Sequence, residues 1–159
     1  MEMTLDHLRT WIGREERASE MLTPALTERF LATFDRTGES APGAEAPVML
    51  HHALCQPVAA TSQLGPDGHP KRGGFLPPVT LPRRMWAGGE IAFHSAPRVG
   101  QTVSRRSVID DVHIKQGRSG SLCFVTVTHA YATEGRALLT ERQDIVYREA
   151  PSPGTTPVT

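Results

Sequence analysis

Arg83 and Arg84 stand side by side between Pro82 and Trp86, in a stretch that proline and glycine make stiff. A guanidinium offers a planar fork of N–H donors that matches phosphate or carboxylate oxygens. The RRMW string is therefore the first candidate for holding an anionic ligand, with Trp86 beside it. The structural alternative is that one arginine pairs with Glu90 or with loop carbonyls while Trp86 plugs the core. Lys71, Arg72, Arg105, Arg106 and Arg118 could add a phosphate-facing rim, although charges scattered over a surface are usually just solvated. Arg118 lies in GRSG (117–120), whose amides could face a phosphate and which a hairpin turn explains fully.

Groups able to move protons are few. His51 and His52 are adjacent, so on a strand they face opposite sides and cannot act as one pair. Asp111 and His113, at i and i+2, would share one strand face, which suits a base with its orienting acid or a weak metal site; a solvated face is the simpler reading. Cys55 and Cys123 are too far apart for a CxxC pair and lack a zinc-like histidine spacing, so they read as buried free thiols. There is no glycine-rich phosphate loop, nucleophile elbow or zinc motif.

The elements that must position these groups belong to a chain of 159 residues, the size of one domain, with 38% hydrophobic residues. Seventeen basic and seventeen acidic residues cancel, which argues against a dedicated nucleic-acid or membrane-surface binder. The balance is uneven, however: residues 1–50 hold nine acids and five bases, and residues 68–118 hold nine bases and three acids. No run has the roughly 18–20 apolar residues of a membrane span, and acids stand where a signal peptide would be basic and apolar, so a cytoplasmic protein is expected.

Leu5, Leu8 and Ile12 predict a short helix ending near Gly13. Thr23 followed by Pro24 predicts a capped helix carrying Leu26, Phe30, Leu31 and Phe34. Residues 38–47 read as an exposed loop, 48–58 as a strand, and 65–89, crowded with proline and glycine, as an ordered, buried loop. Ile91 and Phe93 begin strand character. Three long strands follow over 102–115, 121–132 and 136–147, joined by turns short enough for antiparallel hairpins. In the middle one, Cys123, Val125, Val127, His129 and Tyr131 share a face. The sum is an α+β domain with one large bent antiparallel sheet.

The strings GPDGHPKRGGFLPPVTLPRRMWAGGEIAFH, PRVGQTV, GRSGSLCFVTVTHAY and LTERQDIVYRE together resemble the N-terminal hot-dog domain of the MaoC-like, FAS1-type dehydratases. The nearest branch acts on mesaconyl- and itaconyl-type CoA esters and on 3-hydroxyacyl thioesters. The resemblance runs from Trp11 to Glu149. It implies a single hot dog over residues 1–149, a bent sheet wrapped around a helix or helix-like loop with extra N-terminal helices, followed by a Pro/Thr-rich disordered tail at 150–159. It also implies reversible addition of water across an enoyl thioester, with a CoA or acyl-carrier thioester as ligand and neither metal nor separate cofactor. Arg83, Arg84, Trp86, His51 and Arg118 are the expected thioester-binding residues. The family's D-x-N-x-x-H-type segment, which carries its catalytic aspartate and histidine in a second hot dog, does not occur here, and neither do the tryptophans that flank the family's histidine at MLHHALC. A homodimer, or a heterodimer with a catalytic hot-dog subunit, is therefore expected. A self-sufficient homodimeric hydratase using a histidine such as His51, and a non-catalytic acyl-CoA-binding module, remain open.

Overall fold

The computed structural model describes residues 4–117 and 120–150. Helix α1 (Leu5–Arg9) is capped by the Thr4 hydroxyl and buries Leu8 completely. Helix α2 (Pro24–Thr33) starts as expected, with the Thr23 hydroxyl accepting from the Leu26 amide at 3.2 Å and proline in the first turn. Four long strands follow: β2 (Arg83–Phe93), β3 (Thr102–Gly117), β4 (Gly120–Thr133) and β5 (Arg136–Arg148). A strand that sequence patterning missed, β1 (Glu15–Met21), precedes α2. All five form one antiparallel sheet in the order β1-β3-β4-β5-β2, so the sheet is bent over α1, α2 and the 48–82 segment as in a hot dog. Glu134 and Gly135, both at positive φ, make the two-residue turn that joins β4 to β5.

Three expectations change. Residues 48–58 do not form a strand: Leu50–Ala53 is a 3₁₀ turn entered through Met49 at φ 73°. Leu50 and Leu54 are both fully buried, and their i, i+4 spacing reaches one surface only on a helical turn. The second change is at RRMWAGG, which belongs to strand β2 and not to the preceding loop. Gly89 makes this possible, because a Cβ there would lie 2.6 Å from the Arg142 carbonyl across the β2–β5 pair. The third is β1 itself, whose sequence EERASEM lacks an apolar face and whose Glu15 and Glu16 meet Arg106 and Arg105 of β3 instead. Of the expected tail at 150–159, residues 151–159 lie outside the described residues. Among the described residues no helix is long and apolar enough to cross a membrane.

The inner face of the sheet carries two separate apolar clusters. One centres on Ile109, Val112, Val125, Val127, Ile145 and Tyr147 under Leu8, Val79 and Leu81. The other joins Val103, Tyr131 and Leu139 to Leu22, Leu50 and Leu54. Between them the same strand face presents Arg105, Ser107, His129, Glu141 and Gln143, a polar band across the middle of the sheet.

Candidate functional site

Hydrogen bonds organise most of the band, although the buried Arg105 Nε has no partner among the described residues. Arg105, 8% exposed, meets Glu16 at 2.8 Å. His129 bridges Ser107 and Gln143: Nε2–H donates to Gln143 Oε1 at 3.1 Å, and Nδ1 accepts the Ser107 hydroxyl at 2.7 Å. That arrangement uses the neutral imidazole. Burial holds the His129 pKa below its ordinary 6.5, outweighing the upward pull of Gln143. Because the folded pKa is depressed, the unfolded chain takes up this proton first. His129's contribution to stability is present above pH 6.5 and is lost as pH falls below it. Urea midpoints measured from pH 8 to 5 are expected to fall in wild type, with a shallower slope in His129→Gln.

Glu141 is the centre of the site. Its carboxylate, 3% exposed, accepts from His51 Nε2 at 3.2 Å on one oxygen and from His52 Nε2 at 3.0 Å on the other. Burial pushes this carboxyl up, but the two histidine hydrogen bonds outweigh it and hold its pKa below the usual carboxylate range. The imidazoles lie 4.2 Å apart, so the tight 3₁₀ turn turns both rings to the same carboxylate, which a strand could not have done. His51 is buried edge-on to Tyr131, whose hydroxyl is pushed up to about 12 by burial. His52 is part-exposed and edge-on to Trp86.

The cluster forms a partition. On one side is a polar pocket of about 300 Å³ lined by His52, Trp86, Arg105, His129, Glu141 and Gln143. On the other is an apolar cleft of about 230 Å³, where His51 meets Val48, Met49, Phe93, Pro97 and Leu139. The arrangement combines a carboxylate-oriented imidazole with a polar pocket large enough for a thioester group, the elements of general acid–base chemistry.

Of the expected site residues, the structure brings His51 and Trp86 to this centre; Trp86 is 54% exposed at the pocket rim and does not plug the core. Arg84 lies elsewhere, at a cavity of about 590 Å³ with Lys71, Arg72, His69, Phe75 and Leu76. Its Nε is 3.8 Å from Asp67, and its buried Nη2 has no hydrogen-bond partner. Arg83, next along the strand, is exposed and alternates to the opposite face. Arg118 lies outside the described residues. Loop carbonyls are bound instead by Arg72, which donates to Val79, Leu81 and Pro82, and by Arg14, which donates to Gly74. Arg106 is exposed and paired with Glu15, and Asp111–His113 is a half-exposed 3.1 Å pair, as a solvated strand face predicts. Sequence reasoning missed Glu141 and Gln143. Their signal was two polar residues in LTERQDIVY on the parity of the core residues Leu139, Ile145 and Tyr147.

The model of the type 2 hydroxyacyl-thioester dehydratases matches residues 49–159, which contain both histidines and Glu141. The chain belongs to this family. It is 44% identical over 152 residues to mesaconyl-C(4)-CoA hydratase of Chloroflexus aurantiacus, covering 93% of this chain and 54% of that protein. This family member thus spans about half the length of its relative. Its fold is similar to the ChsH1–ChsH2 complex of Mycobacterium tuberculosis (TM-score 0.66, 15% identity, 96% of this chain and 94% of that one). It is also similar to a MaoC-like dehydratase of Rhodospirillum rubrum (TM-score 0.56, 15% identity, 88% and 94%). At such identities the likeness establishes the hot-dog fold.

Proposed function

We propose that this chain is the thioester-shaping half of a two-hot-dog enoyl-CoA hydratase or 3-hydroxyacyl-thioester dehydratase acting on a short, dicarboxylic, mesaconyl-like acyl-CoA in the cytoplasm. The observation that carries the reading is the placement of the polar pocket. It opens beside β2, a free edge of the sheet, where His52 and Trp86 form an unfinished wall. A second hot dog docking there completes the wall and supplies the aspartate and histidine that add water oxygen to the β-carbon and a proton to the α-carbon. The relative, of which this chain covers 54%, supports the reading as one half of a two-hot-dog assembly, and the ChsH1–ChsH2 neighbour is itself a two-chain complex. Trp86 lines the acyl-thioester pocket and His51 backs it through Glu141; Arg84, with Arg118, takes the CoA phosphates or the free carboxylate, while Arg83 faces away from that cavity. The substrate is the CoA thioester itself, and the hydration step draws on no further cofactor.

A second reading, a self-sufficient hydratase, is favoured by one observation: Glu141 orients His52 at the pocket rim, a ready acid–base pair. The test is to add mesaconyl-CoA and crotonyl-CoA to the purified chain and follow the conjugated-thioester absorbance. No change is expected until a catalytic hot-dog subunit is added. Turnover by the chain alone, abolished in His52→Gln, would replace the first reading with the second.

A further inference from the structure

We propose that His51, His52 and Glu141 form a binding site for a divalent transition-metal ion, of which zinc fits best. Two imidazole nitrogens and a carboxylate are the mixed set that borderline ions such as Zn²⁺ prefer, and three protein ligands with one open position is the usual form of an accessible zinc site. The ligand atoms lie within 4.8 Å of one another. The two N···O separations, 3.0 and 3.2 Å, are close to the edge of about 3.3 Å that a tetrahedral ion with ordinary Zn–N and Zn–O bonds requires between neighbouring ligands. Small ring rotations therefore exchange two N–H···O hydrogen bonds for metal bonds.

The surroundings fit the same ion. Three of the cluster's features are fixed before any ion arrives: the 3₁₀ turn sets the spacing of the two rings, Tyr131 and Phe93 hold His51 edge-on, and Trp86 does the same for His52. Preformed ligands bind without the cost of ordering them. Charge also agrees. With neutral imidazoles the cluster carries one negative charge in an almost dry setting, and a divalent cation converts it to a single positive charge with every ligand atom satisfied. His52 and Glu141 line the polar pocket, from which a water or another oxygen ligand can complete the shell. The ion is bound by the chain itself, whether or not a thioester is turned over and whether or not a partner hot dog is present.

The experiment uses the full chain, stripped with a chelator, dialysed against Zn²⁺ and analysed for bound metal, alongside His52→Gln and the control His113→Gln. His52 is part-exposed, so its replacement keeps the fold, which circular dichroism verifies. The expected result is about one equivalent of Zn²⁺ in wild type and in His113→Gln, with affinity lower by a factor on the order of ten or more in His52→Gln. Absence of retained zinc in wild type overturns the proposal, as does unchanged binding by His52→Gln or loss in His113→Gln. If His52→Gln fails to fold, the Co²⁺-loaded wild type decides. Two paramagnetically shifted imidazole N–H resonances with visible bands of a four-coordinate ion are expected, and their absence refutes the site.

Discussion

Glu141→Ala is expected to lower the unfolding free energy by about 3–5 kcal/mol, measured by urea denaturation at pH 7 with a chelator present. The size follows from what the carboxylate leaves behind. It is buried and is, among the described residues, the sole acceptor for Nε2–H of both His51 and His52. Removing one partner of a buried, charge-assisted pair costs about 3–5 kcal/mol, because the remaining polar groups keep their desolvation without their hydrogen bonds. Glu141→Gln separates this from simple loss of volume. The amide oxygen still accepts from one imidazole, and the amide N–H₂ can donate to the other once that ring shifts tautomer, so at least half the loss is expected to return. The sign with pH is also fixed. Since the folded carboxyl pKa is depressed, the advantage of wild type over Glu141→Gln is present above the ordinary value of 4.5 and shrinks as pH falls through the folded pKa. A Glu141→Ala chain within about 1 kcal/mol of wild type would mean that the histidines find other acceptors and that the cluster is not a preformed unit.

Local rules made much of this fold legible. The β4–β5 hairpin could be read because alternation on both sides meets a turn whose two residues accept positive φ, and α2 because Thr23 and Pro24 mark its first turn. Strand β1 was illegible for a physical reason: of its inward positions only Ala18 packs on the apolar core, while Glu16 and Glu20 are matched by Arg105 and by the Cys55 amide. Its identity as a strand resides in β3, nearly ninety residues away. The 3₁₀ turn failed similarly, since MLHHALC is too short for its period to declare itself and only the Leu50–Leu54 spacing hinted at a helical turn. The site was half visible. A histidine at position 51 could be picked out by its chemistry, but its meaning depends on Glu141, 90 positions along the chain, and pairing at that range is set by register and not by any local pattern.

Trp86→Ala is expected to weaken binding of a CoA thioester at least about tenfold while leaving stability within about 0.5 kcal/mol of wild type. An aromatic ring that fills a core costs about 3–5 kcal/mol when truncated. Trp86 is 54% exposed on an edge strand at the rim of the polar pocket, with the His52 edge and the Gly89 backbone beside it, so folding gains little from it and a ligand gains a flat apolar wall. Intrinsic fluorescence reads both sides of the argument, because the chain holds only two tryptophans. Trp11 is tied down, donating to the Gly74 carbonyl at 3.1 Å beneath the Arg14 guanidinium, on a different part of the fold. Titration with a 3-hydroxyacyl-CoA is therefore expected to change the emission of wild type and of Trp11→Phe and to leave Trp86→Phe silent. The opposite pattern, a large stability loss in Trp86→Ala with unchanged affinity, would assign the ring to packing and move the thioester away from Trp86, toward the basic cavity under Arg84 at the start of the same strand.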